Sequence, residues 1–137
     1  MNTSQQIGQA GEYLTAAVLQ RRFPVIAIPH IPAPYDIAVQ TPGGQFLRCQ
    51  VKTSDSVDHV NNCDYYRFHS NKNTGCYSAD EIDFFAFVAL PERVIRFEKC
   101  SDISSSGVYR LRKDQATFAY EKQSFEKTLG AFLTDQV

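Results

Sequence analysis

Four polar residues, spread over 41 positions, carry the chemistry that this chain of 137 residues is best equipped to do. They are Glu12, Asp36, Gln50 and Lys52: two carboxylates, an amide and an amine. A hard divalent cation such as Mg²⁺ takes oxygen ligands in octahedral array, commonly one or two carboxylates with water and substrate phosphate making up the rest. Asp36 supplies charge, Gln50 a neutral carbonyl oxygen, and Glu12 a second carboxylate for an ion or its water. A bound ion lowers the pKa of water and polarises a phosphoryl oxygen. Lys52 is then suited to orient the attacking water or to offset charge that builds in the transition state. Together these groups suit the hydrolysis of a phosphodiester, provided the fold brings them to one place.

Three elements must do that. Residues 4–22 predict a helix capped by Ser4, with Ile7, Ala10, Gly11, Leu14, Ala17 and Val18 on its apolar face and Glu12 at the edge of that face. Gly8 and Gly11 are costly inside a helix, which points to another chain segment in close approach. After Phe23-Pro24 and a short β-prone stretch at 25–28, PHIPAP at 29–34 is stiffened by three prolines and leads directly into Tyr35-Asp36. Residues 35–40 and 45–52 predict two strands around Pro42-Gly43-Gly44. A three-residue loop sets Thr41 against Gln45 and therefore Asp36 against Gln50, with Lys52 two residues on; an even-numbered loop would part them to opposite faces.

The spacing of Gly11-Glu12, Pro34-Tyr35-Asp36 and Gln50-Val51-Lys52 resembles the PD-(D/E)XK nuclease superfamily. Tyr77 and Asp83-Phe84-Phe85-Ala86 also look like a segment that follows the core in its small members. Within the superfamily the chain is most similar to compact Holliday-junction-resolvase-like and group I intron homing endonucleases, over about residues 5–90. The resemblance implies a central mixed sheet flanked by helices, and a metal-dependent endonuclease. It casts Asp36 as the central metal ligand, Glu12 as the helix carboxylate and Lys52 as the catalytic lysine, with Mg²⁺ as cofactor and Mn²⁺ as substitute. It further implies double-stranded DNA as partner, a homodimer or homotetramer, and a mobile-element setting. Two departures stand out: Tyr35 separates the proline from the aspartate, and Gln50 stands where an acid is commonest. A catalytically inactive module that binds DNA or a protein is the alternative, and an immunity-type protein whose acidic 53–92 segment meets a basic partner is a third.

The remaining sequence frames these choices. The net charge is −1, but it is unevenly placed: +2 over 1–52, −5 over 53–92, +4 over 93–113 and −2 beyond. A weakly acidic total argues against sequence-blind coating of DNA, while the two basic stretches leave room for a basic face. Arg21, Arg22, Arg48, Arg93, Arg96, Arg110 and Arg112 are the candidate phosphate contacts. His30 reads as a loop histidine, and Tyr65, Tyr66 and Tyr77 as packing residues. The cysteines at 49, 63, 76 and 100 lack zinc-site spacing and predict reduced, unligated thiols. No basic leader or long apolar run appears at the N-terminus, so a cytoplasmic location without a membrane span is expected.

For the rest of the chain, 53–81 predicts a polar loop in which only Tyr65 to Phe68 is strand-like. Phe84 to Leu90 predicts a strand covered on both faces. Val94 to Phe97 and Val108 to Arg112 predict further strands, and Phe125, Leu129, Phe132 and Leu133 mark a terminal helix. The expected architecture is a single α/β (α+β) domain over 1–137, with a central mixed sheet, flanking helices and a restriction-endonuclease-like core.

Overall fold

The computed structural model describes residues 2–72, 75–103 and 106–133. Helix α1 spans Thr3–Gln20 and is capped by Asn2 rather than Ser4. Asn2 Oδ1 accepts from the Gln5 N–H at 2.9 Å, and Gln5 Oε1 accepts from the Asn2 N–H at 2.9 Å. The reciprocal pair satisfies two groups that a serine one turn-position later would leave open. The buried stripe also differs from the expected one: Gly11, Thr15 and Leu19 are buried and Ala17 is exposed. Thr15 counts as polar in a sequence, but its hydroxyl donates to the Gly11 carbonyl at 2.8 Å and so enters the interior satisfied.

Strands β1 (Ile26–Ala27), β2 (Ile37–Gln40), β3 (Phe46–Ser54), β8 (Phe84–Ala89) and β9 (Val94–Lys99) form a five-stranded sheet in the order β1-β2-β3-β8-β9. Only β3 and β8 run parallel, so the sheet is mixed. Parallel neighbours need a long crossover. Here that crossover is itself largely β-structure: β4 (Val57–Val60), β5 (Cys63–His69), β6 (Asn71–Lys72) and β7 (Gly75–Cys76).

The expected loop at 53–81 is thereby corrected, except at Tyr65 to Phe68, where the expected strand stands within β5. Strands β4 and β5 pair around Asn61-Asn62, whose φ values of 51° and 62° are left-handed. Asparagine tolerates that region better than most residues, and two such residues in a row give the turn that matches strand twist. In the NKNTG stretch, Asn71 pairs with Cys76 and Lys72 with Gly75; residues 73 and 74 lie outside the described residues. Strand β10 (Val108–Arg112) joins the other edge of β5, giving a second, antiparallel sheet in the order β10-β5-β4.

Three layers result. Helix α1 and helix α2 (Phe118–Leu133) cover one face of the five-stranded sheet, and the second sheet covers the other. Strand β8 is buried at every position because it serves both sides. Phe84, Ala86 and Val88 pack with Leu19, Phe23, Phe125 and Leu129, whereas Phe85, Phe87 and Ala89 pack with Tyr66, Phe68 and Leu111. Tyr109 stacks on Phe87 at 4.1 Å and Phe87 on Phe85 at 5.1 Å. Edge strand β9 is closed by α2: the Ile95 N–H donates to Glu121, the Phe97 N–H donates to Ser124, and the Thr128 hydroxyl donates to the Phe97 carbonyl. Those side chains occupy ladder positions that would otherwise recruit another strand. The chain is thus a mixed α+β unit with a central mixed sheet and two flanking helices, as expected. Among the described residues no helix is long and apolar enough to cross a membrane.

Candidate metal centre

The site begins with a mismatch in strand length. Strand β3 has nine residues, and β2 pairs only with its first part, from Phe46 to Cys49. The turn fixes this pairing: the Thr41 N–H donates to the Gln45 carbonyl at 2.7 Å, and Gly44 takes φ +90°. That is the register of a three-residue loop, so Asp36 falls opposite Gln50. The Asp36 N–H donates to the Cys49 carbonyl at 2.8 Å. The chain then leaves the ladder for the proline loop, and the Val51 N–H would lose its acceptor. Asp36 Oδ2 takes that N–H at 2.9 Å. The aspartate is therefore pinned at the notch where β2 stops, and among the described residues its Oδ1 accepts no hydrogen bond.

Glu12 reaches the notch because α1 lies close on β3. A Cβ at Gly11 would stand 1.8 Å from Thr53 Oγ1, so only glycine permits this crossing. Gly8 has nothing within 4 Å and carries no such constraint. The expected close approach therefore holds for one of the two glycines. Glu12 is half-buried, and its side chain makes no hydrogen bond or ion pair with the described residues. Its pKa is pushed up to about 6, first by burial and then by the charge of Asp36. Asp36 is raised as well by burial, an effect opposed by the Val51 N–H and by Lys52. Beneath them, Thr53 Oγ1 is buried without a hydrogen-bond partner.

Gln50 and Lys52, partly buried, lie on the face of β3 turned away from α1, the face that the register also gives Asp36. Gln50 Nε2 donates to the Val51 carbonyl at 3.5 Å, which leaves Oε1 uncommitted among the described residues. Lys52 Nζ donates to the Tyr77 hydroxyl at 3.4 Å and lies 5.1 Å from the centre of its ring. Burial lowers the Lys52 pKa and Asp36 partly restores it. The contact with Tyr77 is not deducible from spacing, since the two lie 25 positions apart along the chain. The cue for it in the sequence is the place of Tyr77 just ahead of the apolar strand.

The donor set fits a hard cation. The charge of Asp36 raises the pKa of Glu12, and uncommitted oxygens remain on Asp36 and Gln50 among the described residues, so an ion there would relieve repulsion that the chain itself does not. Among the described residues no group of three or more His, Cys, Asp or Glu is placed to hold a metal. An ion held by Glu12, Asp36 and Gln50 would keep water or phosphate in its remaining positions. Cys49, Cys63, Cys76 and Cys100 are not joined in disulfides.

The candidate phosphate contacts are dispersed. Arg48 is committed to the fold: its Nε donates to Asp83 Oδ2 at 3.1 Å, its backbone N–H donates to the same oxygen at 2.8 Å, and its guanidinium also donates to the Ala79 and Asp80 carbonyls. Arg22 lies 4.4 Å over the Phe125 ring and pairs with Glu126 at 3.0 Å. Arg96 is 3.8 Å from Glu98, and Arg112 pairs with Asp114 at 2.7 Å. Arg21 and Arg110 are exposed, and Arg93 is exposed with φ 54° after a 3₁₀ turn. His30 is exposed in the proline loop.

Comparison with known proteins supports the architecture. No protein-family profile matches the chain, and no curated protein matches it in sequence. Among solved structures it is similar to that of a bacterial homing endonuclease, I-Ssp6803I, with a TM-score of 0.68 at 15% identity. The superposition covers 96% of this chain and 97% of that one. At this identity the likeness establishes the fold: a homing-endonuclease-like α+β arrangement carried through nearly the whole of both chains.

Proposed function

We propose that this chain is a metal-dependent DNA endonuclease of the PD-(D/E)XK type, with its active site at the notch where β2 ends against β3. The observation that carries this is a pair of under-satisfied carboxylates, Asp36 and the Glu12 whose pKa it raises, beside Gln50 and Lys52 on the stretch of β3 that β2 leaves unpaired. The shared fold with a homing endonuclease supports it. Asp36, Gln50 and Glu12 would hold Mg²⁺, or Mn²⁺ in its place. When bound, the ion supplies Lewis-acid polarisation of the phosphodiester and a more acidic water. Asp36 would offer Oδ1 to the ion, because the Val51 N–H holds Oδ2. Lys52, steadied by Tyr77, donates hydrogen bonds to the oxygens on which charge develops, or orients the attacking water. One protomer of this size spans only part of a DNA site, so the active species is a homodimer or homotetramer, and the setting is the cytoplasm. Supercoiled plasmid incubated with the protein in Mg²⁺ or Mn²⁺ tests this. Nicking is expected, and Lys52→Ala should abolish it while leaving the melting temperature within a few degrees.

A second proposal is favoured by one observation, the neutral amide at Gln50. With one negative ligand fewer, the site would hold metal more weakly, and the chain would act as a DNA-binding module without cleavage. Retention of plasmid with no nicking at any Mg²⁺ or Mn²⁺ concentration would establish it.

A further inference from the structure

The second sheet has one side packed and one side open. Tyr66 and Phe68 on β5 and Leu111 on β10 point inward, onto Phe85 and Phe87. Strand alternation therefore sends Tyr65, Arg67 and His69 of β5, and Arg110 and Arg112 of β10, to the opposite side. The register places Arg110 directly across from Arg67, and Arg112 across from Tyr65. Two arginines at directly paired positions repel each other, an arrangement that costs stability in a sheet. Solvent and counter-charge relieve it only in part. Arg67 has one acid, Asp58, at 3.8 Å, with both side chains nearly half exposed. Among the described residues Arg110 makes no ion pair or hydrogen bond. Folding gains nothing from this juxtaposition, whereas a ligand with regularly repeated negative charge would.

We infer, on the nucleic-acid reading above, that the outer side of this three-stranded sheet, centred on the Arg67–Arg110 pair, is a second contact surface for the DNA duplex backbone. It faces away from the five-stranded sheet and so extends the protein's grip beyond the notch. Arginine suits the role because its planar fork donates to phosphate oxygens in pairs and it stays charged. Tyr65, partly buried between Arg112 and Asp58 in the register, adds a donor at the same surface. Such contacts position a duplex without reading its sequence, and they release bound counterions, which makes them measurable through salt dependence.

The test is binding of a fluorescently labelled random-sequence duplex, without divalent metal, across a range of NaCl. Three proteins are compared: the wild type, Arg110→Glu, and Lys122→Glu. The last makes the same charge change on the exposed side of α2. Arg110→Glu should weaken binding about tenfold at low salt and lower the slope of log K against log[NaCl] by about one or more. Its melting temperature should hold or rise, because a glutamate there faces Arg67 and replaces repulsion with attraction. A misfolded variant would instead lose both. Lys122→Glu should change the slope less. Equal weakening by the two variants would mean a general charge effect and overturns the proposal, as does wild-type binding by Arg110→Glu. If Arg110→Glu spares DNA binding but changes the sedimentation coefficient, the surface joins copies of the chain, and the proposal is again overturned. Nicking by the wild type in Mg²⁺ separates this from the notch. A protein that binds through Arg110 but never nicks removes the endonuclease reading alone. One that nicks, with binding indifferent to Arg110, removes this inference alone.

Discussion

Arg48 and Lys52 stand four residues apart on the same face of β3, and the fold treats their charges in opposite ways. Arg48 is surrounded by acceptors: two carboxylate oxygens of Asp83 and the carbonyls of Ala79 and Asp80. Hydrogen bonding to Asp83 pushes its pKa up, so its charge is welcome where it sits. The Lys52 amine has, among the described residues, one long hydrogen bond, to Tyr77, and burial pushes its pKa down. The acids behave likewise. Asp83 is consumed by Arg48, while Asp36 is raised by burial and Glu12 by burial and by the charge of Asp36. A half-buried charge whose partners all come from the chain serves the fold. One whose partners are missing is held at a cost to the fold and points to a ligand. The two regions share a strand, so burial alone does not explain the difference.

The largest expected effect comes from Asp36→Asn. The amide oxygen still accepts the Val51 N–H, so the notch survives, but the charge is gone. Plasmid nicking should fall by about a hundredfold or more, the scale of removing one electrostatic group from a transition state. The melting temperature should stay level or rise, because a buried, repelled carboxylate has been removed. A parallel fall in melting temperature and nicking would erase the contrast with Asp83.

Asp83→Asn is the converse change and should act on stability first. It removes an ion pair whose members are each about 30% exposed, 29% and 32%, and leaves Arg48 with fewer acceptors. A loss of about 1–3 kcal/mol in urea unfolding is expected. Nicking by the protein that remains folded should change only several-fold, through looser support of the segment that carries Tyr77. A stability change under about 0.5 kcal/mol would show that the Arg48 network is surface decoration, of the weak kind typical of exposed pairs.

How far these regions could be read in advance also differs. The notch was legible in its essentials. Three prolines ahead of Asp36, and Pro42-Gly43-Gly44 between two alternating runs, set the loop length, and loop length sets which residue faces Gln50. The close packing of α1 was legible from Gly11, since glycine inside a helix asks for a neighbour. Strand β8 was legible because it is apolar at every position. By contrast, β4 was hidden, and β5 showed only at its centre, Tyr65 to Phe68. Their outward positions hold Asp58, Arg67 and His69, so the alternation is diluted, and the Asn61-Asn62 turn only makes sense once two strands flank it. The helix cap was misplaced because Asn2 and Ser4 are both good caps, and only the reciprocal bond with Gln5 selects between them. The Arg48–Asp83 network was hidden for a different reason. It joins positions 35 residues apart, and nothing local in either strand marks the pairing. The likeness of fold to a homing endonuclease at 15% identity follows the same rule: the backbone arrangement persists where most letters do not.

The smallest effect, and the one that most sharpens the contrast, is the pH dependence of Glu12. Its pKa is pushed up to about 6 in the folded chain against an ordinary value near 4.5. Between those values the folded state binds more protons than the unfolded state, so stability falls as pH rises through the window. The contribution is fully present below about pH 4.5 and is lost above about pH 6. Glu12→Gln removes this dependence. Relative to the wild type it should gain about 0.5–1 kcal/mol at pH 7, a figure reduced because the side chain is only half-buried. The gain should vanish by about pH 4.5. Urea unfolding at pH 4.5 and pH 7, with chelator present, measures it. Repeating the pH 7 measurement in Mg²⁺ should reverse the order. The ionised Glu12 then has a counter-charge, and ligand binding to the native state stabilises the wild type by mass action. If the order of the two proteins is the same with and without the ion, Glu12 behaves as Asp83 does, as a charge belonging to the fold, and the metal has no claim on the helix.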